Sequence, residues 1–138
     1  MSAPDASTPM PLTAGPAAAE PPVLDRFALV VVPFPFLGAR PRPRPAVVIS
    51  TRAFNEACGH SVLAMVTTRG TWPTDHAIRE LAPTGLPVPS VVRLKLFTLD
   101  NRLIARRIGE LAEIDAAGLD LALRARLAPH PRKAGEHS

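Results

Sequence analysis

The sequence predicts a mainly β protein of the β-rich α+β class, a small antiparallel sheet or open barrel closed by one C-terminal helix. Three observations predict it. Short apolar runs recur along the chain, each bounded by turn residues. No helical segment between them is long enough for the crossovers that parallel strands need. Only near the C-terminus do leucines fall at every fourth position.

Met1 to Pro22 is Pro, Ala, Ser and Thr with almost no large apolar residue, so it is expected to be a disordered leader. It carries Asp5 and Glu20 and lacks both a basic start and an apolar run, which excludes a secretory signal. Strands are predicted at Phe27 to Val32, Ala46 to Ser50, Ser61 to Thr67 and Ser90 to Phe97, with a weaker one at Leu103 to Leu111. The most apolar stretch, Phe27 to Phe36, is too short to span a bilayer and is broken by Pro33 and Pro35. A soluble, cytoplasmic protein without membrane contact is therefore expected. Asp115 is placed as the N-cap of the final helix, with Leu119, Leu123 and Leu127 as its apolar stripe and Arg124 and Arg126 outside it. Gly118 weakens the first turn of that helix. Pro129 to Ser138 reads as a basic disordered tail, leaving residues 23–128 as the folded domain between a leader at 1–22 and a tail at 129–138.

The chain has 138 residues, enough for one core; hydrophobic residues make up 46% and aromatics 4%, so that core must be built from Val, Leu, Ile and Ala. Cys58 is the only cysteine, which excludes an intramolecular disulfide; although His60 is near it, it reads as a small loop or strand-edge residue. The net charge is +4, with fourteen Arg against two Lys. Guanidinium groups suit phosphate, since they stay charged and bond its oxygens in pairs. A GC-rich coding bias would enrich Arg, Ala and Pro together, so composition leaves both explanations open. The twelve carboxylates are scattered and show no metal-binding spacing, so no metal or other cofactor is expected.

Between the first two strands lies PFPFLGARPRPRP, in which Arg40, Arg42 and Arg44 alternate with prolines. Proline restricts the backbone, so these side chains lose less entropy when an anion arrives; the other reading is a solvated hairpin loop. Thr67 and Thr68 end a strand, where a hydroxyl can bond a phosphate oxygen or serve the turn alone. Asp100, in TLDNRL, is expected to make an Asx-type bond to nearby backbone.

Taken in order, VVPFPF, RPAVVIS, a strand ending in TT, PSVVRLKLFTLDNRLI and RRIGEL resemble the MazF/PemK toxin family over Phe27 to about Leu127. RPAVVIS and TLDNRL carry the likeness in combination. The resemblance implies an SH3-like open barrel of the MazF/CcdB/Kid type, a homodimer, a cognate antitoxin, and metal-independent cleavage of single-stranded RNA. The family's catalytic Arg, the one before Pro, falls on Arg44 and its catalytic Thr on Thr67. Arg93 matches an Arg that takes part in some relatives, but Lys95 stands where those relatives have an Asp. Arg40, Arg42, Thr68 and Arg93 are expected as supporting or RNA-binding residues. Asp75 and His76 follow Trp72 and Pro73 in a loop that the resemblance puts near the active face; each is a candidate for proton transfer or a plain polar loop residue. Two other functions share this fold: a CcdB-like toxin that binds gyrase without nuclease chemistry, and a degenerate member that only binds RNA or antitoxin.

Overall fold

The computed structural model of the chain describes residues 21–34, 40 and 42–128. Most of the expected leader and all of the expected tail lie outside these residues, as do six positions of the loop after the first strand. In chain order the elements are β1 (Ala28–Phe34), β2 (Arg42–Val48), α1 (Arg52–Cys58), β3 (His60–Thr67), β4 (His76–Ala77), β5 (Val91–Asp100), β6 (Arg106–Glu110) and α2 (Glu113–Leu127). Short 3-10 turns follow β4 at Ala82–Thr84 and β5 at Asn101–Leu103.

The six strands form one antiparallel sheet in the order β4-β5-β3-β2-β1-β6. The ladder shifts register at Leu29/Val30 and at Ala64/Met65, and such bulges bend and twist a sheet. Both faces are packed. One face collects Val30, Val32, Phe34, Ala46, Val48, Leu63 and Leu99. The other collects Leu29, Val47, Ala64, Val66 and Val92 and is covered by Leu119 and Leu123 of α2. Burial on both faces explains why β1 reads as a continuous apolar run rather than an alternating one.

Strand β2 begins at Arg42, four residues ahead of the apolar run that predicted it, because it pairs with β1 across the Arg-Pro segment. The 52–58 helix was not predicted. It is capped by Thr51, whose hydroxyl accepts from the Phe54 N–H at 3.2 Å, and ended by Gly59 at φ 67°. Its one buried residue is Asn55, which donates to the Leu24 carbonyl at 2.9 Å and whose own carbonyl accepts from Asn101. A helix docked through an amide has no apolar stripe to betray it.

Helix α2 forms where expected, with Leu119 and Leu123 buried and Arg124 and Arg126 outside. Two details differ. Leu127, the last residue of α2, is 58% exposed rather than part of the buried stripe. Asp115 is not the N-cap: Ala112 occupies that position without a side-chain bond, and Asp115 points inward, fully buried. Its carboxylate accepts the Arg79 and Glu80 N–H groups at 2.9 Å each and faces His76 Nε2 at 3.0 Å. The loop after β4 offers better donors than the free N-terminus of α2. Gly118 has a matching cause, since a Cβ there would stand 2.6 Å from Cε1 of His76. Asp100 does accept the Arg102 N–H at 2.9 Å, as an Asx-type turn requires.

Candidate active site

The cleft is opened by proline. In β2 the odd-numbered N–H groups face β3, as the Ile49 N–H shows by donating to the Val62 carbonyl at 2.9 Å. Beyond Val47, Pro45 and Pro43 occupy the remaining odd positions of β2 and have no N–H to give. The β2–β3 ladder accordingly stops at Ala46↔Met65, and no further pairing is made toward the start of β2. The two strand ends part around a cleft of about 390 Å³ lined by Arg44, Pro45, Val66, Thr67, Thr68, Arg69 and Ser90.

Strand alternation decides which side chains share its face. Ala46 and Leu63 lie in the core that excludes α2, so Arg44, two residues before Ala46, and Thr67, four beyond Leu63, project from that same side. Arg93 projects with them from β5, opposite Met65. Arg44 is exposed, and Thr67 is half-buried with its hydroxyl oxygen accepting from the Arg69 N–H at 3.2 Å. Arg40, Arg42 and Thr68 are exposed. Among the described residues no carboxylate lines the cleft and none pairs with Arg44, so the local field favours an anion.

Arg93 is committed to the wall rather than the opening. Its guanidinium grips Asp75 through Nε–Oδ1 at 3.1 Å and Nη2–Oδ2 at 2.9 Å, and Nη2 also reaches the Arg69 carbonyl at 2.7 Å and Thr71 Oγ1 at 3.1 Å. The side chains of Arg93 and Asp75 are 12% and 5% exposed. The hydrogen bonds from Arg93 hold the Asp75 carboxyl below its usual range against the opposing effect of burial, and Asp75 raises Arg93 in return. Lys95 therefore does not leave Arg93 without a carboxylate, because the loop after β3 supplies one.

His76 goes elsewhere. It pairs with Val92 in the register, whose side chain faces α2, and its ring lies against Gly118 and Asp115 on the side of the sheet away from Arg44. Asp115 itself is driven up by burial, but the N–H groups of Arg79 and Glu80 together with His76 outweigh that and hold it below the ordinary value. Two cleft residues were not singled out from the sequence. Arg69 follows the Thr pair directly, and a third polar residue after TT was the available signal. Ser90, whose hydroxyl donates to the Val88 carbonyl at 2.9 Å, gave none. Among the described residues no three His, Cys, Asp or Glu side chains form a metal-binding group, and no helix is long and apolar enough to cross a membrane.

Comparison with known proteins bears on this geometry. No curated protein matches the chain in sequence. The MazF of a MazE-MazF crystal structure from Deinococcus radiodurans is 28% identical, with a TM-score of 0.58, over 76% of this chain and 95% of that one. MazF from the same organism is 26% identical with a TM-score of 0.61, over 78% and 98%. An endoribonuclease in complex with its cognate antitoxin from Mycobacterial species shares the fold at 21% identity and a TM-score of 0.61, over 79% and 98%. A family model described as PemK-like, MazF-like toxin of type II toxin-antitoxin system matches residues 25–127, and the chain belongs to that family.

Proposed function

We propose that this toxin is a metal-independent endoribonuclease that cuts single-stranded RNA and is silenced by a cognate antitoxin. The observation that carries the reading is the convergence of Arg44 and Thr67 on one cleft that contains basic side chains and, among the described residues, no carboxylate. A cleft of this kind suits a phosphodiester. The reaction is attack by the ribose 2′-hydroxyl on the adjacent phosphorus, leaving a 2′,3′-cyclic phosphate and a 5′-hydroxyl.

Arg44 stabilises the charge that grows on the phosphorane oxygens, and one preorganised donor of this kind is worth about 3 kcal/mol. It is no general base, since a guanidinium with a pKa above about 12 keeps its proton. Thr67 orients a phosphate oxygen through its hydroxyl. Arg42, Arg40, Arg69 and Thr68 hold the flanking strand. Arg93 and Asp75 act as positioning residues, fixing the segment that carries Arg69. The active unit is a homodimer, and the antitoxin competes with RNA for the basic surface.

The test is cleavage of a mixed single-stranded RNA pool in the presence of a chelator, with Arg44→Ala alongside. The variant is expected to be slower by about 10² to 10³, and cleavage should weaken steeply as salt rises. Equal rates for the two proteins would overturn the assignment. Gyrase inhibition without RNA cleavage would favour the CcdB-like reading, and RNA binding without cleavage a degenerate member.

A further inference from the structure

We infer that Trp72 is a stacking platform for a nucleobase of the RNA strand, on the loop that also carries Arg69 of the cleft; this rests on the RNA reading above. Trp72 is 43% exposed and differs from the other exposed apolar side chains in how firmly it is held. The Arg93 guanidinium carbon lies 4.7 Å from the indole centroid, covering one face. That guanidinium is itself fixed by Asp75, Thr71 and the Arg69 carbonyl. The backbone of Trp72 is pinned in both directions, its N–H donating to Asp75 Oδ2 at 2.9 Å and its carbonyl accepting the Asp75 N–H at 3.1 Å. Pro73 stiffens the next peptide. The indole is therefore ordered before any ligand arrives, and little entropy is lost when a second ring covers it.

Its position suits a base better than a protein side chain. Arg69, which Arg93 ties to the same loop, lines the cleft with Arg44, while Arg42 at the start of β2 and Arg40 before it are exposed. An aromatic face beside a basic track is the combination that binds single strands, the cations following the phosphates and the ring taking a base of any identity. Asp75 is thus structural to the subsite, because its bond to Arg93 sets the height of the indole.

Trp72 is the single tryptophan of the chain, so intrinsic fluorescence reports this ring alone. The experiment titrates the full-length protein with an uncleavable 2′-O-methyl RNA oligonucleotide, following indole emission and, in parallel, the anisotropy of a labelled copy. Quenching that saturates with binding is expected, and an oligonucleotide of abasic residues should leave emission unchanged. Trp72→Ala should bind on the order of tenfold more weakly, whereas Trp72→Phe should stay near the parent. Binding with unchanged emission, or Trp72→Ala binding as tightly as the parent, removes the subsite and leaves the nuclease reading intact. Quenching by a protein partner but not by the oligonucleotide overturns it in favour of an interface residue. Failure of the oligonucleotide to bind at all removes both readings.

Discussion

Replacing Asp115 by Ala tests whether one buried carboxylate holds helix α2 to the sheet. The side chain has no exposure and receives three hydrogen bonds, two from backbone N–H groups of the loop after β4 and one from His76. The imidazole is 18% exposed and can turn to water when its partner goes, whereas the Arg79 and Glu80 N–H groups point at a fully buried carboxylate and lose their acceptor with it. Each orphaned donor costs about 1–3 kcal/mol, which puts the loss for the two at roughly 2–6 kcal/mol. Against a typical domain stability of about 5–15 kcal/mol this is a large fraction. Asp115→Asn should lose less, roughly 2 kcal/mol, since one oxygen still accepts while the amide meets a second donor. Urea unfolding followed by circular dichroism reads both variants, with unchanged m-values if the folded state is intact. A loss under about 1 kcal/mol for Asp115→Ala would refute the reasoning. So would a change in RNA cleavage per folded molecule, because Asp115 and His76 lie on the opposite face of the sheet from Arg44.

Two further outcomes follow from the same geometry. Gly118→Ala should fail to deliver the helix-propensity gain of about 1 kcal/mol, because the new Cβ meets the His76 ring and displaces it from Asp115; melting of Gly118→Ala with and without His76→Ala checks this, and the double variant should regain the difference. In acid, the side-chain and backbone hydrogen bonds from Arg102 lower the Asp100 carboxyl from 3.8 to about 2. A group with a lowered folded pKa stabilises fully above its unfolded value, so this contribution should be lost as pH falls from 3.8 toward about 2, and Asp100→Asn should flatten that part of the stability profile.

Five of the six strands and the final helix were legible because apolar runs and a four-residue leucine repeat are local signals of burial, whereas β4, only two residues long, offers no such run. Arg44 and Thr67 were legible as a pair only through the family resemblance carried by RPAVVIS and the strand ending in TT, since neither segment alone separates a site from ordinary loop and turn chemistry. What was not legible has one cause in each case. Helix α1 is held by Asn55 rather than by an apolar face. Asp115 matched an N-cap pattern, yet its acceptors were claimed by Arg79 and Glu80, some 35 residues away. The Arg93–Asp75 pair joins β5 to the loop after β3, and adjacency in sequence had instead grouped Asp75 with His76.

The amino-acid order alone determined the class of the fold, the family likeness and the alternation of Arg with Pro, because periodicity and the missing proline N–H are properties of each residue and its immediate neighbours. Only the tertiary structure decided that β2 and β3 part at Pro45, that Arg44 and Thr67 share a face while His76 takes the other, and that Arg93 is bound to Asp75 beneath Trp72. Those outcomes depend on which distant donor reaches which acceptor first, and that competition is settled by register and packing rather than by local preference.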